Sequence, residues 1–126
     1  MKLQQQVVNL ELSKKLKGLG FKQESYFHWY QGGGGEWYLG DTTEMMNNAI
    51  EISHLTAPQF NSYSAYTVAE LGEMLSSYKY NWQNYKGSDG QWVLGDYILS
   101  LPPTKGITEA DARAKMLIYL KENNLL

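Results

Sequence analysis

The sequence predicts an α+β fold: an antiparallel β-sheet built largely from two similar β-hairpins, with about three helices packed on one face. Three observations lead to it. First, the stretch Tyr30-Gln31-Gly32-Gly33-Gly34-Gly35-Glu36-Trp37-Tyr38-Leu39-Gly40-Asp41 returns without a gap as Tyr85-Lys86-Gly87-Ser88-Asp89-Gly90-Gln91-Trp92-Val93-Leu94-Gly95-Asp96. The offset is 55 residues, and 7 of the 12 positions are identical. Each copy reads as an aromatic strand, a glycine-bounded turn and a strand with Trp and Leu on one face. Second, three other stretches carry apolar residues at helical spacing behind N-cap signals. Third, the order is helix, hairpin, unassigned segment, helix, hairpin, helix, which sets two helix–hairpin units in series and fits an internal duplication.

Size and composition bound the rest. A chain of 126 residues is a single domain, 1–126, long enough to bury well over half of its unfolded surface. It has no Cys, so there is no disulfide framework, thiolate metal site or Cys nucleophile. No apolar run suits a signal peptide or a membrane span, and the expected compartment is the cytoplasm of a cell. The 11 basic and 13 acidic residues are well mixed and sum to −2. Apart from Lys14, Lys15 and Lys17 there is no basic stripe, so charge does not favour nucleic acid.

Taken in order, residues 1–6 are polar and expected to fray. Val8, Leu12, Leu16 and Leu19 share a helical stripe. Asn9 is placed to N-cap it, and Gly20 is placed to end it with Phe21 folded back on Leu16. The first hairpin spans 25–41. Residues 41–64 are ambiguous. Asp41 to Glu44 has capping-box spacing for a short helix, 49–55 alternates like a strand, and 58–64 reads as loop. Thr67-Val68-Ala69-Glu70 is a capping box, and Val68, Leu71, Met74, Leu75 and Tyr78 form the face behind it. Gly72 weakens this helix by roughly 1 kcal/mol and suits a close approach by another backbone. The second hairpin spans 78–99, and Pro102-Pro103 ends it. The last helix starts at Thr108 with Ala110, Ala114, Leu117 and Leu120 inward and Asn123-Asn124 at its end. Arg113 lies near that face, its stem expected along the core edge and its head in water. The predicted core is Leu12, Leu16, Leu19, Trp37, Leu39, Val68, Leu71, Leu75, Trp92, Leu94, Ala114, Leu117 and Leu120.

The stretches Leu10–Lys17 with Gly20 and Lys22–Ser25, Tyr66–Leu75 and Glu109–Leu120 together resemble a family of small uncharacterised proteins encoded by bacteriophages and by prophages of gut bacteria. The resemblance covers the three helices, under half of the chain. It implies a phage-derived protein acting inside a bacterial host, and it carries no catalytic residues or activity with it.

Motif by motif, the chemistry is sparse. Gly32–Gly35 is neither a P-loop nor a dinucleotide fingerprint, because no Lys-Ser or Lys-Thr follows and a strand comes next. Asp41 and Asp96 match in the repeat, and paired carboxylates could flank a substrate, but a Gly-Asp turn capping a strand explains them more simply. His28 and His54 without Cys make a poor metal site, and no Gly-x-Ser-x-Gly elbow occurs. No enzyme, metal or cofactor is therefore expected. The two hairpins carry more rings than one core face can take. Tyr26, His28, Tyr30, Tyr38 and Tyr85 are the candidate binding residues on the face away from the helices. The expected function is non-enzymatic binding, chiefly of a protein, with a homo-oligomer as one form of it. The alternative is a nucleic-acid-binding accessory protein that stacks bases on an aromatic sheet face.

Overall fold

The 55-residue repeat folds as two hairpins of identical register. Strand β1 (Phe27–Gln31) pairs with β2 (Trp37–Asp41) from Phe27↔Asp41 to Gln31↔Trp37. Further along, β4 (Trp82–Lys86) pairs with β5 (Trp92–Asp96) from Trp82↔Asp96 to Lys86↔Trp92, each pair displaced by the repeat offset. The turns match bond for bond. Gly32 N–H donates to the Glu36 carbonyl at 2.8 Å and Gly35 N–H to the Gly32 carbonyl at 3.1 Å; Gly87 and Gly90 repeat this at 2.7 and 3.0 Å. Gly35 and Gly90 close the turns at φ +91° and +84°, a left-handed conformation costly for any residue with a Cβ. Trp37 and Trp92 thus occupy equivalent positions on faces turned toward helices.

The computed structural model describes residues 2–32, 34–47, 61–78, 80–96 and 101–125. The strand expected over 49–55, His54 and the end of the second hairpin at 97–99 lie outside them. The other elements are α1 (Leu3–Gln6), α2 (Leu10–Gly18), α3 (residues 42–47), β3 (Ser62–Ser64), α4 (Val68–Ser76), β6 (Thr104–Gly106) and α5 (Glu109–Glu122).

The α+β class holds, with helices packed on antiparallel strands. The two hairpins, however, belong to separate three-stranded sheets, ordered β2-β1-β3 and β4-β5-β6. Each hairpin takes up its own short third strand. In the first it adds to the leading strand, at Trp29↔Tyr63; in the second to the returning strand, at Val93↔Lys105. Residues 62–64, expected as loop, are strand because β1 satisfies their backbone groups. Residues 3–6, expected to fray, form a helical turn, and Val8 N–H then donates to the Tyr66 carbonyl at 3.0 Å.

Local signals set the helix ends. Asn9 caps α2 by accepting from Leu12 N–H at 2.9 Å. At its other end Phe21 N–H reaches the Leu16 carbonyl and Gly20, at φ +92°, reaches that of Lys17, a Schellman closure. Thr67 and Glu70 make both bonds of the capping box, at 3.1 and 2.9 Å. Thr108 caps α5 through Asp111 N–H, and Asn124, at φ +55°, closes it.

Helix α5 is the hub. Ala110, Ala112, Ala114, Met116, Leu117, Ile118 and Leu120 are all buried, so apolar side chains cover most of its circumference, and exposed Lys115 and Glu122 mark its outward strip. It touches α1, α2, α4, β5 and β6. Its Asp111 carboxylate accepts from both the backbone and the side-chain amide of Asn9, at 3.0 and 3.1 Å, and so ties the start of α2 to the start of α5. Of the predicted core, Leu16, Leu71, Leu75, Leu94, Ala114, Leu117 and Leu120 are buried in it, while Leu12, Leu19, Val68 and Trp92 are half-buried against it. Trp37 and Leu39 correct the expectation: they are half-buried and stand outside this cluster. Their strand is an edge strand of the first sheet, and that sheet meets α2 rather than α5.

Candidate functional site

An open groove of about 620 Å³ lies among the described residues. Three pieces of chain build it. The Schellman end of α2 turns Gly20, Phe21, Lys22 and Glu24 along one wall. Helix α4 supplies Glu70, Glu73 and Met74, a stripe at helical spacing, with its C-cap Ser77 and Tyr78 just beyond. Lys121, in the last turn of α5, closes one end, and Tyr66 lies beneath. The floor is therefore aromatic and thioether. The rim alternates exposed Lys22 and Lys121 with exposed Glu24 and Glu73. A volume in this range, an apolar floor and a few polar groups suit a ligand or a partner's side chains.

Glu70 fixes the wall of the groove. One carboxylate oxygen accepts from Thr67 N–H and from the Ser25 hydroxyl, each at 2.9 Å; the other accepts from Tyr26 N–H at 3.3 Å. The capping box thus doubles as the clamp between α4 and the strand entering the first sheet. His28 lies close by and is buried. Burial lowers its pKa; the Ser25 backbone hydrogen bond and the Glu70 charge pull the other way. Serine, histidine and glutamate meet here, but the Ser25 hydroxyl bonds to the Ala65 carbonyl and Glu70, and its tie to His28 runs through backbone. A hydroxyl activated for attack would instead donate to the imidazole. The cluster has the geometry of a clamp. In the groove floor, burial raises the pKa of Tyr66.

The structure scatters the candidate binding residues. Tyr26 is 64% exposed, Tyr38 48% and Tyr85 51%. Tyr38 sits on the first sheet and Tyr85 on the second, so no one sheet carries both. His28 and Tyr30, expected on an open face, are each only 6% exposed. Tyr30 packs on Tyr38 at 5.7 Å between ring centres, and beside it Glu44 of α3 lies against Gly40. Burial raises the Tyr30 pKa, with Glu44 and Asp41 adding to it. The acids around this face are poorly suited to a phosphate backbone.

The other face of the first sheet is closed by α2. Lys14 sits over the Trp37 ring at 5.2 Å and Lys17 over the Tyr63 ring at 5.1 Å, while the two rings pack at 5.6 Å. Lys17 also donates to the Ser62 carbonyl at 3.1 Å. Lys14 and Lys17 therefore lie over Trp37 and Tyr63 as cation–π partners. Asp41 and Asp96 do not face each other either. Asp41 caps α3 through Glu44 N–H at 2.8 Å; Asp96 is buried and accepts from Asn81 N–H at 3.2 Å.

Arg113 corrects a second expectation. Its head is not in water: Nη1 donates to the Val68 carbonyl at 3.1 Å and Nη2 to Glu109 at 2.9 Å. Gly72 makes room for this guanidinium rather than for a neighbouring backbone.

Neither protein-family models, nor curated proteins, nor solved structures match this chain. Among the described residues no group of three or more His, Cys, Asp or Glu could hold a metal ion, and no helix is long and apolar enough to cross a membrane. Sequence reasoning missed the groove. Its residues come from a helix end, a helix flank and a distant last turn, and no single periodicity links them.

Proposed function

We propose that this protein is a non-catalytic interaction module that takes a short segment of a partner protein into the groove between the α2 terminus and α4. The observation that carries the reading is the groove itself, with Phe21, Tyr66, Met74 and Tyr78 as its apolar floor and charges of both signs on its rim. Methionine and aromatic rings adapt to varied apolar anchors, and the rim charges would orient them. A phage origin and a site of action in the bacterial cytoplasm belong to the same proposal, and they rest on the resemblance of the helical segments.

Exposed rim residues allow a test that spares the core. Glu73→Lys and Lys121→Glu should each weaken capture of a bacterial partner by roughly tenfold, while Tyr38→Ala leaves capture unchanged. Affinity purification from host cells with quantitative mass spectrometry reads this. Loss of capture with Tyr38→Ala but not with the rim variants moves the binding surface to the first sheet. Capture that nuclease abolishes and that falls steeply with salt favours the nucleic-acid reading instead.

A further inference from the structure

A second, much smaller cleft, of about 100 Å³, lies between α4, α5 and the second sheet. Its walls are Gly72, Leu75, Trp82 and Leu94, with Asn84 and Arg113 as the polar residues. The repeat explains why it exists. Asn84 occupies the position of Trp29 in the first hairpin, one strand pair displaced by 55 residues. Trp29 fills its site with an indole and donates to the Val8 carbonyl at 2.8 Å. Asparagine is far smaller, and space remains beside it.

Two polar atoms at this cleft are shielded from solvent and have no protein partner: Asn84 Oδ1 and Arg113 Nε. The orientation of the Asn84 amide is set by chemistry. Its nitrogen donates to Glu109 Oε1, a carboxylate that can only accept, so its oxygen must turn the other way. The rest of the guanidinium is held by Val68 and Glu109. The Trp82 indole is spent on the Leu75 carbonyl at 2.7 Å. The cleft therefore lacks one acceptor, for Arg113 Nε–H, and one donor, for Asn84 Oδ1. An added anion would meet the Glu109 charge and an added cation that of Arg113, so the fitting ligand is small and neutral.

We propose that this cleft is a specific internal water site, in which water accepts from Arg113 Nε–H and donates to Asn84 Oδ1. A water needs roughly 10–15 Å³ of such space and two to four polar partners; the cleft offers about 100 Å³, and both unpartnered groups belong to residues that line it. The bridge completes a polar network that joins α4 to α5 and β4, where buried groups left unpaired would be costly. The second unit of the repeat thus replaces an indole by hydrated asparagine.

A high-resolution crystal structure and water-selective NMR on ¹⁵N-labelled protein test this together. The expected result is density within about 2.7–3.2 Å of both atoms, and a cross-peak from water to a slowly exchanging Arg113 Nε–H. In Asn84→Leu, which fills the space and removes the acceptor, the cross-peak should be lost. A direct Asn84–Arg113 hydrogen bond with no density between overturns the proposal. So does an Nε–H that exchanges at the rate of an exposed guanidinium, or a cross-peak that persists in Asn84→Leu. Where Asn84→Leu fails to fold, the measurements on the wild-type protein decide.

Discussion

His28 shows how one residue can be misjudged from its neighbours in sequence. Both faces of Tyr26–Gln31 carry rings, so alternation gives no inside or outside, and among the described residues Tyr30 packs with Tyr38 on that face, with Glu44 of α3 beside them. Burial has a measurable consequence. The imidazole has a folded pKa below its ordinary 6.5. On acidification the unfolded chain takes up the proton first, so stability is complete above about pH 6.5 and is lost as pH falls from there through the lowered folded value. Denaturant midpoints at about pH 7.5 and 5 should differ in wild type, and the difference should shrink in His28→Gln. A pH dependence unchanged by that substitution would assign it to other groups. Arg113 was misread for a related reason. A lysine or arginine beside an apolar face ordinarily reaches for water, and the sequence does not reveal that Val68 and Glu109 wait inside.

At the scale of elements, legibility followed the range of the interactions. The caps at Asn9, Thr67 and Thr108 and the Schellman end at Gly20 are made within a few residues, and the sequence displays each one. The hairpins were readable because their turn chemistry is repeated. The strands β3 and β6 were not. Each is three residues long and exists only because a distant strand bonds it. Strand β6 depends on one glycine. A Cβ on Gly106 would stand about 2.8 Å from Asp111 Cβ and against the Ala112 backbone nitrogen, where nothing flexible can yield. Gly106→Ala should therefore cost about 3 kcal/mol by forcing β6 off α5. Chemical denaturation checks it, and a cost near zero would mean that the strand is not seated on the helix.

For the whole molecule, the repeat is faithful in its hairpins and broken in its surroundings. Trp37 and Trp92 share a register, yet Trp92 packs on the central cluster while Trp37 packs on Tyr63 and Lys14. Unequal costs follow. Trp92→Ala should destabilise by about 3 kcal/mol and Trp37→Ala by roughly half of that. Thermal or denaturant unfolding of both variants tests the order, and equal losses would make the first sheet as much a part of the core as the second. That inequality was not readable from the matched motifs, because it arises from the helix each sheet meets.

The position of α5 has a further consequence, for synthesis. Every element it supports precedes it in the chain, and the Asn9–Asp111 clamp spans 102 residues. On the ribosome both helix–hairpin units emerge before the helix that covers their shared apolar surface. The nascent chain must therefore hold that surface unburied, open to chaperones and to neighbouring nascent chains, until residues 109–122 clear the exit tunnel and the domain closes in one late step.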